Sequence, residues 1–339
     1  MTAVAPTGAS VPAELGGWRR LGAARRAGRG GRGRVALRRL RDGVVVLLFV
    51  LTAIFLLGAL VGDPAESLAP IDATQEQVDA IRANLGLDRP LLEQARSYFG
   101  GLVRGDMGES LVIARNQPAL DLVMDRLPAT IRLTVAGLFF TVLIGVVPGI
   151  IAGVRPNSIF DRVGNFIALC GVSFPYFWFG QILILVVAVK LGWVSVLPGD
   201  GVKSYILPGL TLGIHHGGRL FQLARSATLD EVGKSYVTVA QSKGLGFPTV
   251  VRKHILRNVG LVLATMVGWE YARMWGGTVF LVEFTFAWPG IGKLVTDAAD
   301  YHDFNVIQAG VVVAGVFVVC SNLVVDLVSS VVDKRVEVE

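Results

Sequence analysis

Five ionisable side chains interrupt stretches of the sequence that are otherwise apolar. They are His215, His216, Arg219, Glu270 and Arg273. An ionisable group inside a bilayer costs at least about 2.5–3.5 kcal/mol on insertion scales, and it normally faces a bundle interior or a cavity. If the surrounding stretches cross a membrane, these five side chains are candidates for lining a solute path.

Each of the five also has a structural explanation. Glu270 and Arg273 stand three residues apart, so on a helix they can form a salt bridge as readily as contact a solute. His215, His216 and Arg219 can instead lie near a helix end and extend to water. If the residues do line a path, the arginines and histidines suit a charged peptide or an exposed carboxylate, and the histidines with Glu270 suit a metal chelate.

Other patterns that could bind a ligand are incomplete. Gly233-Lys234-Ser235 resembles the end of a phosphate-binding loop, but Thr228 stands where that motif requires its first glycine. ATP must therefore bind to another chain if ATP drives the protein. Cys170 and Cys320 lie in separate apolar stretches and are expected to act as small apolar residues. We expect no catalytic residues, no metal site and no cofactor bound by this chain.

Composition indicates a membrane protein. Of the 339 residues, 53% are hydrophobic and 17% are charged, and the mean hydropathy is +0.58. Each crossing needs roughly 20 mostly apolar residues. Such windows lie near 43–62, 129–153, 163–190, 206–224, 257–282 and 305–331. Because no strand-like alternation appears, we expect an all-α bundle of about six transmembrane helices.

The distribution of basic residues sets the orientation. Ten arginines lie between positions 19 and 41, directly before the first apolar window. Short cytoplasmic loops collect Lys and Arg, so the N-terminus and the longest basic loop, 226–256, are expected inside. Six spans then place both termini in the cytoplasm. The basic tail is read as contacting anionic lipid rather than nucleic acid, and residues 1–40 as disordered.

The region between the first two windows is expected to be helical and extracytoplasmic. Thr74 and Gln77 form a capping-box pattern, with Gly86 as the stop. A second helix is predicted from Pro90 to Gly100.

Glycine spacing in the second window indicates close helix packing. Gly145, Gly149 and Gly153 recur every four residues on one helix face, and Pro148 is expected to kink that helix. Packing explains these glycines better than solute contact.

Segment 236–258, in the longest basic loop, is predicted to form a short helix, a left-handed turn at Gly244 and a second basic helix. It resembles the coupling loop of bacterial binding-protein-dependent ABC importers, whose pattern is Glu-Ala-Ala, three further residues and then Gly. Thr238, Val239, Ala240 and Gly244 occupy those places, and Thr238 departs from the pattern. The version found in peptide importers matches at Tyr236, Val237, Ala240, Lys243, Gly244, Leu245, His254, Leu256, Arg257 and Asn258.

The resemblance extends over nearly the whole chain after residue 40. Further matching stretches are 85–90, 104–108, 126–130, 173–178, 207–212, 286–292, 322–327 and 333–335. The chain is therefore identified as resembling the first of the two permeases in oligopeptide, dipeptide, glutathione and nickel importers, with a type I ABC importer permease fold in the bacterial cytoplasmic membrane.

This resemblance implies a permease of an ATP-driven importer for dipeptides or oligopeptides, with nickel or glutathione as alternative solutes. It implies a homologous second permease, two cytoplasmic ATPases that hold ATP and Mg²⁺ and dock on segment 226–256, and an extracytoplasmic binding protein. The chain itself is not expected to be an enzyme.

The implied organisation has four parts. They are a cytoplasmic tail (1–40), the first span with an extracytoplasmic region (41–128), a permease core (129–332) and a short cytoplasmic tail (333–339).

Two other classes fit less well. An ion-coupled secondary transporter would be expected to show inverted repeats, and none is visible. A membrane-embedded enzyme would need a nucleophile with a base, or a metal constellation. The adjacent histidines do not supply either, because neighbouring helix positions point to different faces.

Overall fold

The computed structural model describes residues 37, 40–56, 58, 65, 69–70, 72–84, 86–195, 199 and 201–332. The tails expected at 1–40 and 333–339 lie almost wholly outside these residues. Within the described part, every regular element is helical, and an isolated bridge joins Glu109 to Pro118. The predicted all-α class is confirmed.

Twelve helices, together with a 3₁₀ turn at Val202–Tyr205 and a π-helical turn at Met274–Thr278, make up the helical structure of the described chain. They are α1 (40–56), α2 (Gln75–Asn84), α3 (Leu91–Arg104), α4 (Ala119–Val154), α5 (Ile159–Ser173), α6 (Tyr176–Lys190), α7 (Ile206–Val232), α8 (Ser235–Ser242), α9 (Phe247–Val250, Val251–Ile255 and Leu256–Arg273), α10 (Val279–Thr285), α11 (Ile291–Asp300) and α12 (Phe304–Val332).

The predicted start of α2 is confirmed. The Thr74 backbone N–H donates to Gln77 Oε1 (2.9 Å), and the Gln77 N–H donates to Thr74 Oγ1 (3.4 Å). Helix α3 begins after Pro90 as expected but does not end at Gly100. It continues to Arg104 and is closed by Gly105, whose φ is +77°, because a left-handed residue is what ends the hydrogen-bond ladder.

Two described helices are long and apolar enough to cross a membrane, namely α4 and residues Phe304–Asp326 of α12. The span expected at 163–190 is instead the pair α5 and α6, bent by 106°. The bend falls at Phe174-Pro175, where Phe174 has extended backbone angles (φ −85°, ψ 142°). Proline disfavours the helical conformation in the residue before it, which explains the break.

The spans expected at 206–224 and 257–282 coincide with α7 and with α9 plus α10. The second is not continuous, because Gly277 has a φ of +121° and interrupts the helix between Arg273 and Val279. Both regions carry the ionisable residues singled out above, which lowers their hydropathy relative to α4 and α12.

Helix α7 packs closely against α4 through the predicted glycine face. A Cβ at Gly149 would lie 2.6 Å from the Phe221 carbonyl oxygen, and one at Gly153 would lie 2.6 Å from Thr228 Cβ. The packing interpretation is therefore confirmed. A π-helical turn, Val142–Val146, precedes Pro148 and accommodates the backbone donor that proline lacks.

The loop before α4 is tied to the start of α12 by one carboxylate. Asp303 Oδ2 accepts from Ser110 Oγ (2.6 Å) and from the backbone N–H groups of Leu111, Val112 and Ile113 (3.0–3.2 Å). Asp303 is fully buried. These hydrogen bonds join residues almost 200 positions apart and hold the loop against the bundle.

Candidate functional site

Four of the five predicted path residues form one charged cluster, in which His216 and Glu270 are buried and Arg219 and Arg273 are partly exposed. Glu270 lies at its centre and is 1% exposed. Its Oε2 lies 2.8 Å from His216 Nδ1 and 3.8 Å from Arg219 Nη1, while Arg273 Nη1 donates to Oε1 at 2.9 Å. Helix α7 supplies two members and α9 the other two, so the cluster joins the two helices.

The salt bridge between Glu270 and Arg273 confirms the pairing predicted from their three-residue spacing. It does not exclude solute contact, because the side chains of Arg219 and Arg273 remain 38% and 48% exposed. One carboxylate thus neutralises only one of two guanidinium groups. Arg219, Arg273 and Glu270 together carry a net charge of +1.

His215 is the fifth of the predicted path residues. Its ring lies against Tyr176, with centroids 5.2 Å apart, and stands almost perpendicular to the ring of His216. The two adjacent histidines therefore face different directions, as their spacing predicted. Within the described chain, no group of three or more His, Cys, Asp or Glu residues is arranged to hold a metal ion.

The structure places the predicted helix, turn and helix in segment 226–256. Helix α8 is followed by Gly244, whose φ is +85°, and α9 begins at Phe247. The Leu245 N–H donates to the Ala240 carbonyl at 3.2 Å, which satisfies one of the last carbonyls of α8. The left-handed turn predicted at Gly244 is confirmed.

The residues of this segment divide between surface and core. Lys243, Gly244, Leu245, His254, Arg257 and Asn258 are exposed, whereas Tyr236 and Ala240 are half-buried. Val237 is 3% exposed and packs with Ala224, Val250 and Ile255. Val237 therefore anchors α8 to the bundle and leaves the opposite face of α8 free for contact.

Glu231, which the sequence analysis did not single out, holds this segment in place. Its Oε1 accepts from Tyr236 Oη (2.9 Å) and Asn258 Nδ2 (2.7 Å), and its Oε2 pairs with Lys234. Burial alone would raise the pKa of Glu231, but the hydrogen bonds from Lys234, Asn258 and Tyr236 together lower it. The carboxylate stays charged at neutral pH and joins the end of α7 to α8 and α9.

Asp161 forms a second buried connection that the sequence did not reveal. It is 2% exposed and receives two hydrogen bonds from the guanidinium of Arg225, which ties α5 to α7. Its partner is 64 residues away. Only a tertiary contact identifies the pair.

Comparisons with known proteins agree with this architecture. Residues 145–338 match the family described as binding-protein-dependent transport system inner membrane component, and residues 33–134 match the N-terminal part of that type of protein. In the structural comparison, the MetNI methionine ABC transporter, solved in inward-facing conformations, is 19% identical. The two structures align with a TM-score of 0.52, and the alignment covers 62% of this chain and 96% of the MetNI chain.

Relatives that are more alike in sequence are glutathione transport system permease proteins GsiC. The Escherichia coli K12 protein is 35% identical over 296 residues, which is 87% of this chain and 96% of the relative. The Salmonella choleraesuis protein is 36% identical over 301 residues, which is 88% and 97% respectively. The chain thus belongs to the family of inner membrane components of binding-protein-dependent transport systems, and it is a permease of the ABC importer type.

Proposed function

We propose that this permease imports small peptides, with glutathione-like tripeptides as the most specific candidate. The observation that carries the choice of solute is its 35% identity to glutathione permeases over 87% of the chain. Dipeptides and longer peptides belong to the same chemical class. Nickel complexes form the alternative solute.

The chain is proposed to form one half of the pore, and a homologous permease forms the other. An extracytoplasmic binding protein delivers the solute, and two cytoplasmic ATPase subunits bind ATP with Mg²⁺ and hydrolyse it. The support for this division is the match of residues 145–338 to the inner membrane components of binding-protein-dependent transport systems; the incomplete phosphate-binding loop around Lys234 is consistent with ATP binding to other subunits. No cofactor is assigned to the chain itself.

Segment 226–256 is proposed as the surface on which an ATPase docks. Its support is the exposed turn Lys243–Leu245, held on a rigid base by Val237 and Glu231. Movement of the ATPases would displace α8, and the contacts of Glu231 would pass that displacement to α7 and α9. Because α7 and α9 also carry the charged cluster, docking and solute contact share two helices.

The test is uptake by the reconstituted complex of both permeases, the ATPases and the binding protein in proteoliposomes. We expect ATP-dependent uptake of labelled glutathione or short peptides. Uptake of a nickel chelate without peptide uptake would retain the importer but contradict the solute. ATP-independent uptake driven by an ion gradient would instead support a secondary transporter and contradict the proposal.

A further inference from the structure

The charged cluster does not balance its own charge. Glu270 is the carboxylate that Arg219 and Arg273 contact in the described structure, and the two guanidinium groups exceed it by one positive charge. His216 also presents a buried Nε2 for which the described residues provide no hydrogen-bond partner. The cluster therefore has both a positive charge and an unused polar atom.

The exposed sides of Arg219 and Arg273 cannot be turned to lipid at low cost. Charged groups at membrane depth face a water-filled cavity or another protein chain. Both guanidinium groups are also forked donors, whose planar geometry matches a carboxylate with two parallel hydrogen bonds. The neutralising group most complementary to this face is a carboxylate.

We propose that Arg219 and Arg273 form a carboxylate-binding site for the transported solute, an inference that rests on the proposed function. Glu270 is the resident counterion that holds both arginines when no solute is present. A solute carboxylate supplies the missing negative charge by binding on the exposed sides of the guanidinium groups. The favoured solutes therefore carry free carboxylates, and a solute without one passes less readily.

A carboxylate of the partner permease is the competing explanation for the unbalanced charge. The two explanations differ in what neutralising an arginine does. Loss of a solute site reduces uptake according to the number of solute carboxylates. Loss of a contact between subunits reduces uptake of every solute equally and weakens the assembled complex.

The experiment measures initial uptake by the full complex in proteoliposomes for glutathione and for its analogue in which both carboxylates are carboxamides. Arg219→Gln and Arg273→Gln are each expected to lower glutathione uptake about tenfold, the effect of one charge-assisted hydrogen bond. The loss for the carboxamide should be smaller. Arg155→Gln, which removes an exposed arginine from the loop between α4 and α5, is the matched control and should leave the uptake of both compounds unchanged.

Glu270→Gln is expected to strengthen glutathione binding, whereas the arginine variants weaken it. Because a resident carboxylate no longer competes for the arginines, KM for glutathione should fall relative to KM for the carboxamide. Equal losses for the two compounds in the arginine variants, or an unchanged KM ratio in Glu270→Gln, would overturn the carboxylate site. No ATP-dependent uptake of either compound by the wild-type complex would contradict the proposed function itself.

Discussion

At the scale of single residues, buried carboxylates determine how separate parts of the chain meet. Glu231, Glu270 and Asp303 each accept hydrogen bonds from groups on other segments. A buried charge is stable only when its partners are in place, so removal of one partner is far more damaging than exchange of an exposed charge. Each carboxylate consequently enforces one arrangement of the surrounding helices.

The first prediction concerns Glu231. Replacement by Gln keeps the shape but removes the charge that pairs with Lys234, and its amide would face the donor of Asn258. We expect a loss of about 1–3 kcal/mol in local stability and a severalfold fall in solute imported per ATP hydrolysed. The measurement is the ratio of uptake to ATP hydrolysis in the reconstituted complex.

The Glu93→Gln substitution on α3 serves as the control for Glu231→Gln. Glu93 is exposed and lies outside segment 226–256, so the same chemical change there should leave the ratio unaltered. If Glu231→Gln also leaves the ratio at the wild-type value while the complex assembles normally, Glu231 does not position the docking segment.

At the scale of helices, two glycines perform different tasks. Gly149 is required for space, because α4 and α7 approach each other too closely for any side chain. Gly244 is required for its backbone angle, since a Cβ there would meet no atom within 4 Å but φ is +85°. Substitutions at the two positions should therefore have different consequences.

The second prediction is that Gly149→Ala destabilises the bundle. A methyl group would lie 2.6 Å from the Phe221 carbonyl oxygen and 2.8 Å from Ala224 Cβ. Overpacking of this kind costs about 1–3 kcal/mol, and the melting midpoint in detergent should fall. Gly260→Ala, within α9 and with open space around the added methyl, should not lower the midpoint.

The third prediction is that Gly244→Val impairs coupling without preventing membrane insertion. A left-handed conformation costs an L-residue roughly 1–2 kcal/mol, so the turn between α8 and α9 would rearrange. Gly246 offers a matched site two residues away, with a φ of −61°. ATP-driven uptake should fall in Gly244→Val and persist in Gly246→Val; equal activity in both would argue against a role for the turn geometry.

At the scale of the whole molecule, segment 226–256 and the region between the first two spans are expected on opposite sides of the membrane. Segment 226–256 is basic, and the long region between the first two spans contains α2, α3 and the loop held by Asp303. This arrangement follows from the positive-inside distribution of charges.

The fourth prediction tests that arrangement by labelling introduced cysteines. In a chain whose two natural cysteines are replaced by Ser, Thr238→Cys on α8 should react with a membrane-impermeant maleimide only from the cytoplasmic side. Glu93→Cys on α3 should react only from the outside. If both cysteines were labelled from the same side, the number of spans between α3 and α8 would have to differ from the three expected here.

Several features of this protein follow from sequence alone. The all-α fold and the permease family can be predicted from local signals that recur along the chain. These signals are apolar windows of membrane-spanning length, the placement of arginines and the motifs around Gly244. The capping box at Thr74 and the glycine face of α4 are local in the same sense. Each depends on side chains within one or two helical turns.

Only the tertiary structure decided which charged residues act together. Glu231 meets Asn258 across 27 positions, Asp161 meets Arg225 across 64, and Glu270 meets His216 across 54. The sequence analysis assigned Glu270 a partner on its own helix, and the fold added two from α7. Periodicity within a segment reports which face is apolar, whereas the partner of that face is set by three-dimensional packing.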